Sequence, residues 1–120
     1  MYPHAENQIE FFLPFGGKLN PDNRWVKLCK MIPWADFETE YSKTLEGSGD
    51  GPTAKPVRVA LGALIIKERL GTSDRETVEQ IRENSYLQYF LGFKEYDEDP
   101  PFHPSMFVHF RKRLIKDMII

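Results

Sequence analysis

The chain has 120 residues, 41% of them hydrophobic and 13% aromatic, with 16 basic and 18 acidic side chains for a formal net charge of −2. That length allows one domain with a core of its own, and that composition excludes an intrinsically disordered chain. A single cysteine, Cys29, excludes a disulfide framework or a zinc site of paired cysteines, and neither a signal-peptide pattern nor a membrane-length apolar run is present, so a soluble, cytoplasmic protein is expected.

Residues 1–23 form an irregular N-terminal arm, because Pro3, Pro14, Gly16, Gly17, Pro21 and Asn23 interrupt every regular element. Phe11, Phe12, Leu13 and Phe15 are too apolar for a free tail, so the arm is expected to lie across the domain or a partner. A helical region over 24–118 follows. Arg24 to Ile32 reads as a short helix capped by Asp22 or Asn23, with Trp25, Val26, Leu28, Cys29 and Ile32 inward. Pro33 stops it. Trp34, Phe37, Tyr41 and Leu45 then recur at helical spacing, opposite Asp36, Glu38 and Glu40. Those three carboxylates splay over most of a helical turn, which makes them a solvated face and not a metal site. The loop 46–53 is glycine-rich, but no strand leads into it and no Lys-Ser/Thr follows, so it is not a nucleotide site.

Pro56 to Leu70 is the centre of the chain. Leu61, Leu64, Ile65 and Leu70 mark one face, while Val57, Ala60, Ala63 and Ile66 fill most of the rest. A helix without a broad wet face is a buried, central one. Pro56 suits its first turn, and Gly71 suits the position just past its end that needs a positive φ. Ser73-Asp-Arg-Glu76 then has the spacing of a capping box, with the serine oxygen on the Glu76 N–H and the Glu76 carboxylate on the Ser73 N–H. Two helices joined by such a corner have helix-turn-helix character, which other helix-helix corners share. In the second helix Val78 and Ile81 point inward, and Arg75, Glu76, Glu79, Arg82 and Glu83 outward. Ser85 can cap a further short helix, densely packed with Tyr86, Leu87, Tyr89, Phe90 and Leu91 and closed by Gly92. Residues 94–101, with Glu95, Asp97, Glu98 and Asp99, read as a mobile acidic loop.

The last segment starts well at Pro104 or Ser105, and Phe107, Phe110, Leu114 and Met118 form an apolar stripe. Residues 1–50 carry 5 basic and 8 acidic side chains (−3) and 51–120 carry 11 and 10 (+1), yet Arg111, Lys112, Arg113 and Lys116 against Asp117 give +3. An electrostatic footprint for phosphate therefore has to sit here. Two readings stand. Either this is a major-groove helix, with Ser105 and His109 at base edges and Arg111, Lys112, Arg113 and Lys116 on the backbone, or it is an amphipathic helix whose basic end complements its dipole.

Pro56–Leu70, Gly71-Thr-Ser-Asp-Arg-Glu76, Arg82-Glu-Asn84, Tyr89-Phe-Leu-Gly-Phe93 and Phe110-Arg-Lys-Arg-Leu114, in that order, resemble the N-terminal domain of bacterial insertion-sequence transposases, the InsH-like kind with a DDE catalytic domain downstream. Where relatives commonly have a serine- or threonine-rich run entering the final helix, this chain has Pro104-Ser-Met-Phe-Val-His109. The resemblance implies an all-α region that binds the element's terminal inverted repeats or assembles the transposase on them as a homo-oligomer. It also implies that the catalytic carboxylates lie in a separate RNase H-like domain. This chain, which has no strand pattern for such a sheet, reads as a fragment ending before it. No catalytic residue is carried over, and no metal, cofactor or small-molecule substrate is expected: His4, His103, His109 and Cys29 have no metal-ligand spacing. The competing reading is a protein-interaction module, motivated by the acidic balance, the Phe11–Phe15 arm and the Tyr86–Phe93 cluster.

Overall fold

The computed structural model describes residues 13–39 and 57–114, and among these it holds helices and turns and no strand. The all-α expectation stands. Helix α1 (Arg24–Met31) is capped by Asn23, whose side-chain oxygen accepts the N–H groups of Trp25 and Val26 at 2.7 and 3.4 Å. Two of the four donors that a helix start leaves open are thereby satisfied. The helix gives way at Ile32 (φ −92°, ψ 128°), the extended conformation that a following proline imposes. Helix α2 (residues 34–39) is then fastened by Trp34, whose indole N–H donates to the Cys29 carbonyl in the last turn of α1 at 3.0 Å. Tyr41, Leu45, the glycine-rich loop 46–53 and Pro56 lie outside the described residues.

Helix α3 (Val57–Leu70) is the central element, but not by the face its leucines mark. Val57, Ala60, Ala63 and Ile66 are the deeply buried set at 2% exposure or less, while Leu64, Ile65 and Leu70 are half-buried and Glu68 and Arg69 face solvent. Small residues let the neighbours come close: a Cβ on Gly62 would lie 2.8 Å from Leu91 Cδ2. Gly71 (φ 67°) turns the chain and donates its N–H to the Lys67 carbonyl at 2.9 Å. Only half of the expected capping box forms. Ser73 Oγ accepts the Glu76 N–H at 3.0 Å, but the Glu76 carboxylate accepts Gln80 Nε2, its neighbour one turn on, at 2.8 Å. Helix α4 (Asp74–Glu83) buries Thr77, Val78 and Ile81. The Thr77 hydroxyl donates to the Ser73 carbonyl at 2.7 Å, so at its 2.6 Å contact with the Thr72 hydroxyl it is the acceptor.

Helix α5 (Ser85–Phe90) is capped by Asn84, which accepts the Tyr86 N–H at 2.8 Å, and not by Ser85, which is already helical. The backbone N–H of Asn84 also bonds the Ile81 carbonyl at 3.3 Å, so this residue sits at the junction of both helices. Past Gly92 (φ 96°), the N–H of Phe93 reaches the Gln88 carbonyl at 3.0 Å and that of Gly92 reaches Tyr89 at 2.9 Å, the Schellman pattern. Arg58 of α3 completes this helix end. Its guanidinium donates to the carbonyls of Tyr89 and Phe90 at 2.8 and 3.0 Å and sits over the rings of Trp34 and Tyr89.

The acidic loop is pinned, contrary to the expectation of mobility. Gln88, buried on α5, accepts the Asp97 N–H at 2.9 Å and donates to the carbonyls of Asp97, Ile81 and Arg82 at 2.8–3.2 Å. Tyr96 Oη also donates to the Arg82 carbonyl, and Arg82 Nε to that of Glu98, both at 2.8 Å. Acidic side chains here are exposed while the backbone between them is tied to α4 and α5. The described part of the N-terminal arm lies against this chain's own α5. Its 3-10 turn Pro14–Gly17 is held by Phe15 N–H on the Lys94 carbonyl at 2.7 Å, and Asn20 N–H bonds Tyr86 Oη at 3.0 Å.

Candidate nucleic-acid interface

Helix α6 (Met106–Leu114) enters through a tight first turn, with Met106, Phe107 and Val108 donating to the carbonyls three residues back at 2.9–3.3 Å. Phe107, Phe110 and Leu114 are buried to 1% exposure or less against α3 and the core. Phe102, which sequence periodicity does not mark because it precedes the helix, completes an edge-to-face trio with Phe107 and Phe110, with centroids 5.1–6.0 Å apart. This seam fixes the rotation of α6 about its axis, and with it the identity of the outer face.

That face consists of Ser105, Val108, His109 and Lys112, all exposed and spaced i, i+3, i+4, i+7. Three of the six residues expected to touch DNA thus stand in one line. The basic residues are not equivalent. Arg111 is turned toward α4, where its two terminal nitrogens lie 3.3 and 3.4 Å from the carboxylate of Asp74, so it does not fan over the outer face as its charge alone implies. Asp74 also has Lys67 Nζ at 3.7 Å. These side chains are 30–40% exposed, where an ion pair contributes about 0–1 kcal/mol and yields readily to a stronger partner. Arg113 is half-buried and has a polar or electrostatic contact of its own. Lys112 is exposed; Lys116 and Met118 lie outside the described residues.

Val108, 43% exposed, adds an apolar side chain to the same face. His103 adds a feature that only the three-dimensional turn reveals: its Nδ1 lies 3.1 Å from the Ser105 N–H and 2.9 Å from Ser105 Oγ. The signal available in the sequence is a polar residue two positions before the serine, at a helix entrance. By contrast, α4, the second helix of the Gly71–Ser73 corner, carries two basic and four acidic residues, with Arg82 engaged by Glu79 at 3.0 Å. Its outer surface repels phosphate.

Elsewhere, Trp25, Leu28 and Leu70 floor a groove of about 110 Å³ between α1 and the end of α3, with Arg24 and Arg69 at its rim. Among the described residues no three His, Cys, Asp or Glu side chains gather to hold a metal ion, and no helix is long and apolar enough to cross a membrane.

Comparison with known proteins decides the family. A family model described as "Transposase domain (DUF772)" matches residues 14–113. The chain belongs to this transposase-domain family. The match runs from the 3-10 turn on α5 to the last turn of α6, so the pinned arm, the acidic loop and the basic helix are all parts of the transposase domain. A Rhizobium meliloti protein named "Uncharacterized protein ORF8 in nfe locus" is 32% identical over 99 residues, which cover 80% of this chain and 45% of that protein. The chain therefore spans less than half the length of this curated relative. No solved structure matches it.

Proposed function

We propose that this transposase domain binds duplex DNA at the terminal inverted repeats of its element through the outer face of α6. The observation that carries the reading is the line Ser105–Val108–His109–Lys112, exposed on a helix whose opposite side is locked into the core. Such a face offers a hydroxyl, an imidazole and a methyl-bearing side chain to base edges and an ammonium to phosphate. Arg111 and Arg113 lie beside it in the last turn, and Arg111 reaches phosphate by leaving Asp74. The full protein is then a DDE-type transposase in which this helical region positions the element's ends and a separate domain does the chemistry. Titration of a fluorescent repeat duplex with the 120-residue chain tests the reading. Binding is expected to weaken with salt, and Lys112→Ala to weaken repeat and random duplexes alike. Absence of binding at low salt refutes it.

A second reading, pairing of transposase subunits, is favoured by the groove between α1 and α3, whose apolar floor and basic rim suit an acidic, apolar segment of another copy. The Tyr86–Phe93 cluster does not add to that reading, since Leu87, Phe90 and Leu91 are packed within this chain. Sedimentation separates the two: a strict monomer at high concentration that still binds DNA eliminates pairing by this domain.

A further inference from the structure

We propose that the groove between α1 and the end of α3 docks a second copy of this chain, and that its occupant is that copy's acidic loop, with Tyr96 on the groove floor and Glu95 and Glu98 at the basic rim. This rests on the pairing reading, not on α6, and it goes further by naming the segment that each copy contributes.

The groove has the make-up of a protein contact. Trp25, Leu28 and Leu70 form its floor. Met31, one turn after Leu28 and 76% exposed, extends that floor along α1. Cations border it: Arg24 and Arg69 stand at the rim, and Lys27 and Lys30 lie exposed on α1, a helix without an acid. An apolar centre inside a charged margin suits a protein partner. A DNA backbone would meet the cations but leave the apolar strip facing a charged, hydrated strand.

The loop has the complementary make-up. Among the described residues the exposed large apolar side chains are Leu13, Met31, Tyr96 and Val108, and of these only Tyr96 stands between acids. Glu95, Asp97, Glu98 and Asp99 around it are all exposed. The segment is held in shape before any partner arrives, by the Asp97 N–H on Gln88 Oε1 at 2.9 Å and by Arg82 Nε on the Glu98 carbonyl at 2.8 Å. A pre-formed loop loses less conformational entropy on docking. Those same bonds anchor it at α4 and α5, and it does not line the groove of its own chain, so the occupant comes from another copy. Among the described residues, none of Arg24, Arg69, Glu95 and Glu98 is in an ion pair within the chain. Both sets of charges stand open to a partner.

The test is sedimentation of the 120-residue chain over a concentration series, with two double variants that each alter one surface. Arg24→Glu with Arg69→Glu reverses the rim. Glu95→Lys with Glu98→Lys reverses the loop, whose brace uses the Glu98 carbonyl and not its side chain. The unmodified chain is expected to associate as concentration rises. Each variant alone should associate about tenfold more weakly or less, since like charges then face each other. An equal mixture of the two should associate again, because the unaltered loop of one meets the unaltered groove of the other. That recovery also shows both variants to be folded. Tyr96→Ala should weaken association by about thirtyfold, as loss of a central aromatic anchor does, while Tyr96→Phe keeps the ring and should leave it near the unmodified value. If the variants associate as well as the unmodified chain, or if the mixture stays as weak as its parts, this contact is wrong while pairing through another surface stands. A chain that is monomeric at every concentration overturns the pairing reading and this contact together. Neither result touches duplex binding through α6. If, in such a monomer, Arg24→Glu lowers the salt slope of duplex binding, the rim belongs to DNA and the proposal falls.

Discussion

Helices α4 and α6 are the two candidates for a reading helix, and they divide the attributes of one between them. Helix α4 has the local chemistry: it follows a three-residue corner turned by Gly71 and capped by Ser73, as the second helix of a helix-turn-helix does. Its composition is wrong, with two basic and four acidic residues and one of those arginines held by Glu79. Helix α6 lacks a comparable corner, for it follows an acidic loop and a histidine-serine turn. It nevertheless has three basic residues, no acid, and a rotation fixed by three buried side chains. A sharp corner is a way of packing two helices. What makes a helix a reader is which residues the packing leaves outside.

The comparison breaks most readily at the seam beneath α6. Phe107→Ala removes a fully buried ring and is expected to cost about 3–5 kcal/mol of folding free energy by denaturant titration. A loss below about 1 kcal/mol would mean that α6 is not anchored, and its outer face would then be undefined. Next comes the amide that ties α4 and α5 to the acidic loop. Gln88→Leu leaves the Asp97 N–H without its partner and takes one of two donors from the Ile81 carbonyl, which keeps the Asn84 N–H, and about 1–3 kcal/mol of destabilisation is expected. If the loop matters only as a brace, any DNA affinity should survive under folded conditions. Ser73→Ala sharpens the contrast from the other side. Losing the α4 cap should lower stability by about 0.5–2 kcal/mol while leaving the salt dependence of DNA binding unchanged. A change in that dependence would return α4 to candidacy. The smallest effect is expected at the link between the helices. Asp74→Asn releases Arg111 and Lys67 from an exposed pairing, and it should tighten DNA binding modestly at low salt, with the gain fading as salt rises. Weaker binding would show that Asp74 orients Arg111 for DNA.

Much of this architecture was legible because it rests on local chemistry. Gly71, Ser73, Gly92 and Pro33 act on their immediate neighbours, so their roles follow from identity and spacing. The Phe107–Phe110–Leu114 stripe was equally plain, since burial on a helix repeats with its turn. What escaped depends on partners distant in sequence. Nothing near Arg58 announces that it will lie over Trp34 and close α5 at Tyr89 and Phe90. Gln88 looks like one polar residue among aromatics until the loop arrives to bond it. Asn84 and Ser85 are both good caps, and the contest between them is decided by how α4 ends. At the candidate interface the charges of 111–113 were visible, but Asp74, 37 residues before Arg111, is what sorts them.

The direct measurement is the salt dependence of repeat-duplex binding by the 120-residue chain, compared between Lys112→Ala on α6 and Arg75→Ala on α4. Both residues are exposed and basic, so each substitution removes the same charge from a different helix. If α6 is the reading helix, Lys112→Ala lowers the log–log salt slope by about one unit while Arg75→Ala leaves it as it was. The reverse pattern, or an equal loss from both, contradicts the assignment of DNA binding to α6.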